Sequence, residues 1–138
     1  MAKEEKKGTT IATPINILWE NILMIPIFGA IDSKQAQEIM ENILTRISDS
    51  GSKVIILDIL GVATVDTAVA NYILKITRAT GLMGCRCIVS GISPAIAQTL
   101  VNLGVGLEGV ATTASLRDAL ETAFDTIGLE VRKIKKVP

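Results

Sequence analysis

The chain has 138 residues, enough for one domain with its own core, and its 49% apolar but 3% aromatic composition predicts a core of Ile, Leu, Val and Ala. Its 14 Lys and Arg residues balance its 14 Asp and Glu residues, so the chain has no long-range electrostatic field that would attract nucleic acid or an anionic membrane. Histidine is absent, which removes the commonest general base and the commonest metal ligand.

The ends of the chain and its apolar runs predict a cytoplasmic protein with one folded domain and no membrane segment. No run approaches the roughly 18 apolar residues that a membrane helix needs. Charged residues stand at the start of the chain, where a signal peptide would have its apolar core. We therefore expect a flexible N-terminal tail over residues 1–12, one domain over residues 13–128, and a basic C-terminal tail over residues 129–138.

Two short β-type runs open the domain. INILW and ILMIPIF, residues 15–19 and 22–28, are separated by Glu20 and Asn21, which predicts an antiparallel pair joined by a tight turn. Pro26 lacks an N–H group, so we expect it at a sheet edge or a bulge. The pair is unusually apolar for an edge, and we expect either another subunit or the first helix to cover it.

Four helices follow, and each has a recognisable beginning. They are predicted over residues 32–51, from Thr67 to Thr80, over residues 93–104 and over residues 115–128. Asp32, Ser93 and Ser115 are the expected N-caps of the first, third and fourth helices. The side chains expected to face the core are Ala36, Ile39, Met40, Ile43, Leu44 and Ile47, then Val69, Ala70, Ile73, Leu74, Ile76 and Thr77, then Ile96, Ala97, Leu100 and Val101, and finally Leu116, Ala119, Leu120, Ala123, Phe124 and Ile127.

Three more strands alternate with these helices, over residues 53–60, 85–91 and 109–111. The first of them, KVIILDIL, is nearly continuous in apolar residues, as is typical of a parallel strand buried on both faces. Repeated strand–helix–strand units with short connections require parallel neighbours. The element order is therefore ββαβαβαβα, and the predicted fold class is α/β with a mixed β-sheet and packed helices.

The remaining reactive side chains indicate structure rather than catalysis. Cys85 and Cys87 lie two positions apart in a strand, so both should point to one face as a packed pair of thiols. Two cysteines without histidine make a poor metal site. Asp58 could join Asp32 or Asp66 in a carboxylate site, or it could bond to a loop. We predict no catalytic residue, no metal site and no cofactor.

Two threonines stand out by their positions. Thr67 directly follows Asp66 in the first turn of its helix, near the rim of the apolar face. Thr99 is expected to be partly exposed beside Ala95 and Asn102. Each also has an ordinary explanation, since Thr67 could serve as a cap and Thr99 could be plain surface.

Several sequence motifs resemble one family. VDTAVA at residues 65–70, followed by GISPAIAQTLVNLGVGLEGV at 91–110, resembles the STAS domains of bacterial stressosome scaffold proteins, the RsbR and RsbS type, which are relatives of anti-sigma-factor antagonists. PIFGAIDS at 26–33 and GLMGCRCIVSGI at 81–92 fit the same pattern. The resemblance extends from Pro14 to Phe124 and implies a STAS fold.

The resemblance also implies a function. Members of this family are phosphorylated by a partner serine/threonine switch kinase at positions that correspond to Thr67 and Thr99, and threonine at both favours the R-type. Asp66, Ala95 and Asn102 would belong to the partner surface. The expected protein is a non-enzymatic phospho-switch that sequesters and releases the kinase and assembles with paralogous STAS proteins as a homodimer or a larger complex.

Other interpretations remain open. A ligand-binding STAS domain could hold a nucleotide or another anion at the same helix N-terminus. A stand-alone antagonist is a further alternative. The sequence DTAVA at residues 66–70, in place of the DSSGLG that is usual in such antagonists, weakens this alternative. R-type proteins usually carry a separate N-terminal sensor domain, so the sequence is either the C-terminal part of such a protein or a short paralogue.

Overall fold

The computed structural model describes residues 14–104, 106–107 and 109–135. The predicted N-terminal tail and residues 136–138 of the predicted C-terminal tail lie outside the described residues. Residues 129–135 contain no helix or strand, and all of them are exposed.

The order ββαβαβαβα and the α/β fold class are confirmed. The last strand lies slightly later than residues 109–111. The elements are β1 (Asn16–Trp19), β2 (Ile22–Gly29), α1 (Ser33–Ser50), β3 (Val54–Val62), α2 (Thr67–Leu82), β4 (Arg86–Ser90), α3 (Pro94–Leu103), β5 (Ala111–Thr112) and α4 (Leu116–Thr126).

The five strands form one mixed sheet in the order β1-β2-β3-β4-β5. β1 pairs antiparallel with β2, and the turn between them contains Asn21 at φ 68, a conformation that asparagine tolerates. The other three pairs are parallel, because a helix returns the chain between successive strands. The carboxyl ends of β2, β3 and β4 therefore meet at one edge of the sheet, where α1, α2 and α3 begin.

Pro26 was expected at a sheet edge or at a bulge, and it lies next to a bulge. The register between β2 and β3 shifts between Pro26 and Phe28, and the pairing of β1 with β2 already ends at Met24. Pro26 has no partner in β1, so its missing N–H group costs no hydrogen bond to that strand. Phe28 lies close over Gly61, where an added Cβ would approach the Phe28 Cβ to 2.8 Å.

The larger core lies on the sheet face covered by α1 and α2. Alternate residues of β2, β3 and β4 point to this face, where they meet apolar residues of both helices and Leu100 of α3. The predicted inward residues of α1 and α2 are buried or half-buried, including Thr77. Cys85 and Cys87 join this core, as their spacing predicts.

α4 covers the opposite sheet face with a smaller cluster. Ala119, Ala123 and Phe124 pack on β2, β3 and β4, and Trp19 contacts the Phe124 ring edge-to-face, with 5.3 Å between the ring centroids. The expectation that the first helix covers this hairpin is therefore wrong for Trp19, which packs on α4 instead. Hydrophobic periodicity shows that a strand is buried but not which helix buries it.

The predicted inward face of α3 is partly wrong. Leu100 is buried and Ile96 is half-buried, but Ala97 is exposed and Val101 is 78% exposed. α3 contains no charged residue, and its few polar side chains, Gln98, Thr99 and Asn102, mark only a narrow polar face, so the sequence does not define the limits of the buried face.

Candidate functional site

The beginning of α2 places Asp66 and Thr67 side by side on the surface. Asp66 has an extended backbone, and its Oδ1 accepts a hydrogen bond from Val69 N at 2.8 Å. Ala70 N donates to the Asp66 carbonyl oxygen at 3.0 Å. Asp66 is therefore the N-cap that satisfies amide groups at the start of the helix.

Thr67 is the first residue of α2 and is exposed. Because Asp66 caps the helix, the Thr67 hydroxyl is not needed for that role. Among the described residues this hydroxyl has no hydrogen-bond partner. The expected position of Thr67 on the accessible rim agrees with the structure, and its hydroxyl is open to a reactant from solvent.

The loop before α2 is anchored on both sides. Ala63 N donates to the Gly29 carbonyl oxygen at 3.0 Å, which ties the loop to the end of β2. Val62 and Val65 are buried in the core on the α1 side of the sheet. The fold therefore holds Thr67 at a fixed position on the surface.

Thr99 lies in a different local environment. α3 begins with Ser93, whose hydroxyl accepts from Ile96 N at 3.2 Å, and with Pro94 as its first residue. Thr99 is the sixth residue of this helix and is half-buried. Its hydroxyl donates to the Ala95 carbonyl oxygen at 2.9 Å, so this hydroxyl is engaged within the helix. Ala95 and Asn102 are both exposed, in agreement with their predicted places on the surface.

A side-chain contact that we did not predict joins the ends of β3 and β4. Ser90 is fully buried and donates to Asp58 Oδ1 at 3.0 Å. Gly91, at φ +85, follows immediately, and a Cβ there would lie 2.5 Å from Leu60 N and 2.7 Å from Asp58 Oδ1. Asp58 and Ser90 are register partners in the parallel sheet, so aligning the two predicted strands could have shown this contact.

Because of this contact, Asp58 has a structural role, bonding to neighbouring residues, rather than a place in a carboxylate site. Its second hydrogen bond is a long one, 3.4 Å, from Leu60 N. Asp32 and Asp66, its candidate partners, instead cap α1 and α2. The described residues contain no cluster of three or more potential metal ligands.

The two cysteines are unreactive by environment. Both are buried and neither forms a disulfide. Burial is the main cause that raises the pKa of Cys85 to about 12, with a smaller increase from neighbouring Cys87. Burial also raises the pKa of Cys87 to about 11, although the nearby hydroxyl groups of Thr77 and Thr80 lower it in part. Protonated thiols are poor nucleophiles and poor metal ligands.

Comparison with known proteins identifies the family. The STAS domain family matches residues 18–123. The chain belongs to the STAS family. It is 41% identical over 115 residues to the RsbT co-antagonist protein RsbRA of Bacillus subtilis (strain 168), an alignment that covers 83% of this chain and 42% of RsbRA. This chain thus spans less than half the length of that relative.

Two solved structures are also similar. The structure of a single-residue variant of RsbS from Moorella thermoacetica matches with a TM-score of 0.71 at 27% identity, over 83% of this chain and 97% of that one. A chain from the structure described as the molecular architecture of the stressosome, a signal integration and transduction hub, matches with a TM-score of 0.66 at 26% identity, over 84% and 100%. None of the described helices combines the length and apolarity required to cross a membrane.

Proposed function

We propose that this STAS domain is a non-enzymatic phospho-switch and scaffold module of a cytoplasmic, stressosome-like complex. A serine/threonine switch kinase phosphorylates Thr67 and Thr99, and the domain sequesters that kinase and releases it. Similarity to RsbRA, which is named a co-antagonist of RsbT, and to a chain of the stressosome supports this assignment. The observation that carries it is the exposed Thr67 hydroxyl, which lies beside the Asp66 cap and bonds to none of the residues that the structure describes.

A phosphate on Thr67 is compatible with the fold. Phosphorylation adds about −1.5 to −2 charges, and the positive end of a helix dipole stabilises negative charge in its first turn. Asp66 already uses its carboxylate to bond Val69 N, so the new phosphate displaces no contact of the cap. We therefore expect phosphorylation to change the surface while the domain stays folded.

The surface around the two threonines suits a partner that is released by charge. Ala68 beside Thr67 and Ala95 beside Thr99 are small and exposed, and Val101 is 78% exposed. A kinase docked on this uncharged α3 surface would lose a desolvated contact when a phosphate enters it. Like-charge repulsion across an interface costs several kcal/mol, enough to weaken binding by orders of magnitude.

Incubation with a switch kinase and ATP, followed by intact-mass spectrometry and peptide mapping, tests the proposal. We expect two phosphates on the wild-type chain, one on each of Thr67→Ala and Thr99→Ala, and none on the double variant. Thr122 is the matched control, because its hydroxyl donates to the Asp118 carbonyl oxygen four residues earlier, as Thr99 does to Ala95. Thr122→Ala should still take up two phosphates.

The same experiment can contradict the proposal. Absence of phosphate on both threonines, or phosphate that persists in the double variant, would exclude these sites as the switch. Saturable nucleotide binding without transfer of phosphate would instead support a ligand-binding STAS domain that uses the α2 N-terminus.

A further inference from the structure

A groove between α1 and α2 opens beside the larger core. It is lined by residues between Ser33 and Met40 of α1 and between Tyr72 and Ile76 of α2, and its volume is about 140 Å³. Thr67 and its Asp66 cap are not part of this lining. The groove is therefore a different place on the surface from the candidate functional site.

A small apolar void adjoins the groove on the side of the sheet. Ala36, Tyr72 and Ile76 line both spaces, so the two are direct neighbours. The void measures about 20 Å³, and the other residues around it are all Ile or Val. A buried water needs about two to four polar partners, which this lining does not supply. The void is therefore better filled by the apolar end of a ligand than by water.

The polar groups of the site lie in the outer groove. Lys75 is the one charged residue in its described lining, and it is exposed. Within the described part of the chain Lys75 has no ion-pair partner. Glu41, one turn beyond Gln37 on α1, instead accepts a hydrogen bond from Gln37 Nε2 at 2.9 Å. A cation beside an apolar wall is complementary to a molecule that carries a carboxylate on an apolar tail.

We propose that the groove and the void together bind a small carboxylate with an apolar tail of about five carbons. The end of the tail enters the void, and the rest of the tail lies against Tyr72 and Ile76. The carboxylate accepts a charge-assisted hydrogen bond from Lys75. Burial of the tail supplies most of the affinity, and Lys75 selects the anionic head.

The volumes of the two spaces limit the size of the ligand. A cavity of about 150 Å³ holds a benzene ring, so a groove of about 140 Å³ with a void of about 20 Å³ takes roughly six to eight non-hydrogen atoms. Hexanoate lies within this range. Pockets for larger ligands begin at about 300 Å³, so a nucleotide is too large for this site. A molecule as small as hexanoate binds weakly, with an expected dissociation constant on the order of 1 mM.

Titration of the full chain with hexanoate, followed through its amide NMR signals, tests the site. Hexanol has the same tail without the charge, and acetate has the charge without the tail. We expect saturable shifts from hexanoate at amides between Ser33 and Met40 and between Tyr72 and Ile76, and at least about fivefold weaker binding of both comparison molecules. Absence of saturable shifts in these two segments, or equal binding of hexanol and hexanoate, would overturn the inference.

Two exposed cations of α2 supply the matched variants. Lys75→Gln should weaken hexanoate binding at least about fivefold and leave hexanol binding unchanged, because the substitution removes the charge and leaves the apolar walls in place. Arg78→Gln changes a residue one turn further along α2 and outside the groove lining, so it should bind hexanoate like wild type. Equal losses in the two variants would overturn the assignment of the carboxylate to Lys75.

Phosphate uptake keeps this inference separate from the proposed function. The lining contains neither Thr67 nor Thr99, so Lys75→Gln should still be phosphorylated on both threonines by the switch kinase. The Thr67→Ala/Thr99→Ala double variant should likewise bind hexanoate with wild-type affinity. Loss of hexanoate binding in that double variant would place the ligand at the threonines and overturn the inference.

Discussion

Replacing Thr67 by Asp should leave the free energy of unfolding within about 0.5 kcal/mol of wild type. The exposed Thr67 hydroxyl bonds to none of the described residues, so no contact is lost. A carboxylate in the first turn gains about 0.3–1 kcal/mol from the helix dipole. Repulsion from Asp66 opposes this gain, at about 0.7 kcal/mol for two carboxylates roughly 6 Å apart in water, and salt reduces it further. The two effects nearly cancel.

Thr99→Asp should destabilise the domain by about 1 kcal/mol. Thr99 is half-buried and lies in the second half of α3, where the negative end of the dipole disfavours a carboxylate. The change also removes the hydrogen bond to the Ala95 carbonyl oxygen, and α3 contains no cation to offset the new charge. The difference between the two variants therefore reports the different helix positions of the two threonines.

Urea unfolding followed by circular dichroism measures both variants, and kinase capture on the same samples measures the switch. We expect Thr67→Asp to unfold at the wild-type midpoint but to bind the kinase less tightly. A loss of more than about 2 kcal/mol in Thr67→Asp would show that Thr67 is packed rather than exposed, and would refute the reasoning. Wild-type kinase binding by both variants would place the switch elsewhere.

Three further predictions concern stability and reactivity. Asp66→Ala should destabilise the domain by about 1 kcal/mol and Asp66→Asn by much less, because asparagine can still cap α2; urea unfolding measures both. Cys85 and Cys87 should resist thiol reagents at pH 8 until the protein unfolds. Because folding raises the pKa of both thiols, the stability that they contribute should be fully present below about pH 9 and should be lost as the pH rises toward about 11–12. Thermal unfolding measured at a series of pH values would show this loss. Gly91→Ala should destabilise the domain by more than about 2 kcal/mol, because the added Cβ would meet a β3 backbone nitrogen. Gly104→Ala, where an added Cβ would meet nothing nearby, should cost about 1 kcal/mol. Equal effects of the two substitutions in calorimetry would contradict the close contact at Gly91.

Local signals in the sequence were sufficient for most of the fold. The caps at Asp32, Ser93 and Ser115 were predicted correctly, because capping depends on residues within one turn. The bulge next to Pro26 is one of the two positions that were expected for this residue, a sheet edge or a bulge, since the missing N–H restricts where a proline can lie in a sheet.

Tertiary packing decided what the sequence left open. Ala97 and Val101 were predicted inward but are exposed, because apolar residues lie on more than one side of α3 and its packing against the sheet selects which side is buried. Trp19 packs on α4, the last helix of the domain, which no local pattern indicates. The Asp58–Ser90 bond depends on the register between two strands.

Some features of the candidate site could be predicted from the sequence and others could not. The exposure of Thr67 was predicted from its position at the rim of the apolar face of its helix, whereas the N-cap role of Asp66 was not predicted. The hydrogen bond from Thr99 to Ala95 depends on the side-chain rotamer within α3, which the sequence does not determine.

Kinase affinity before and after phosphorylation tests the central claim most directly. Isothermal titration of a switch kinase into the unphosphorylated chain, and into the chain phosphorylated on Thr67 and Thr99, measures the change that defines a phospho-switch. We predict that phosphorylation weakens kinase binding at least about a hundredfold, as like-charge repulsion across a desolvated interface requires. Equal affinity for the two forms would contradict the account.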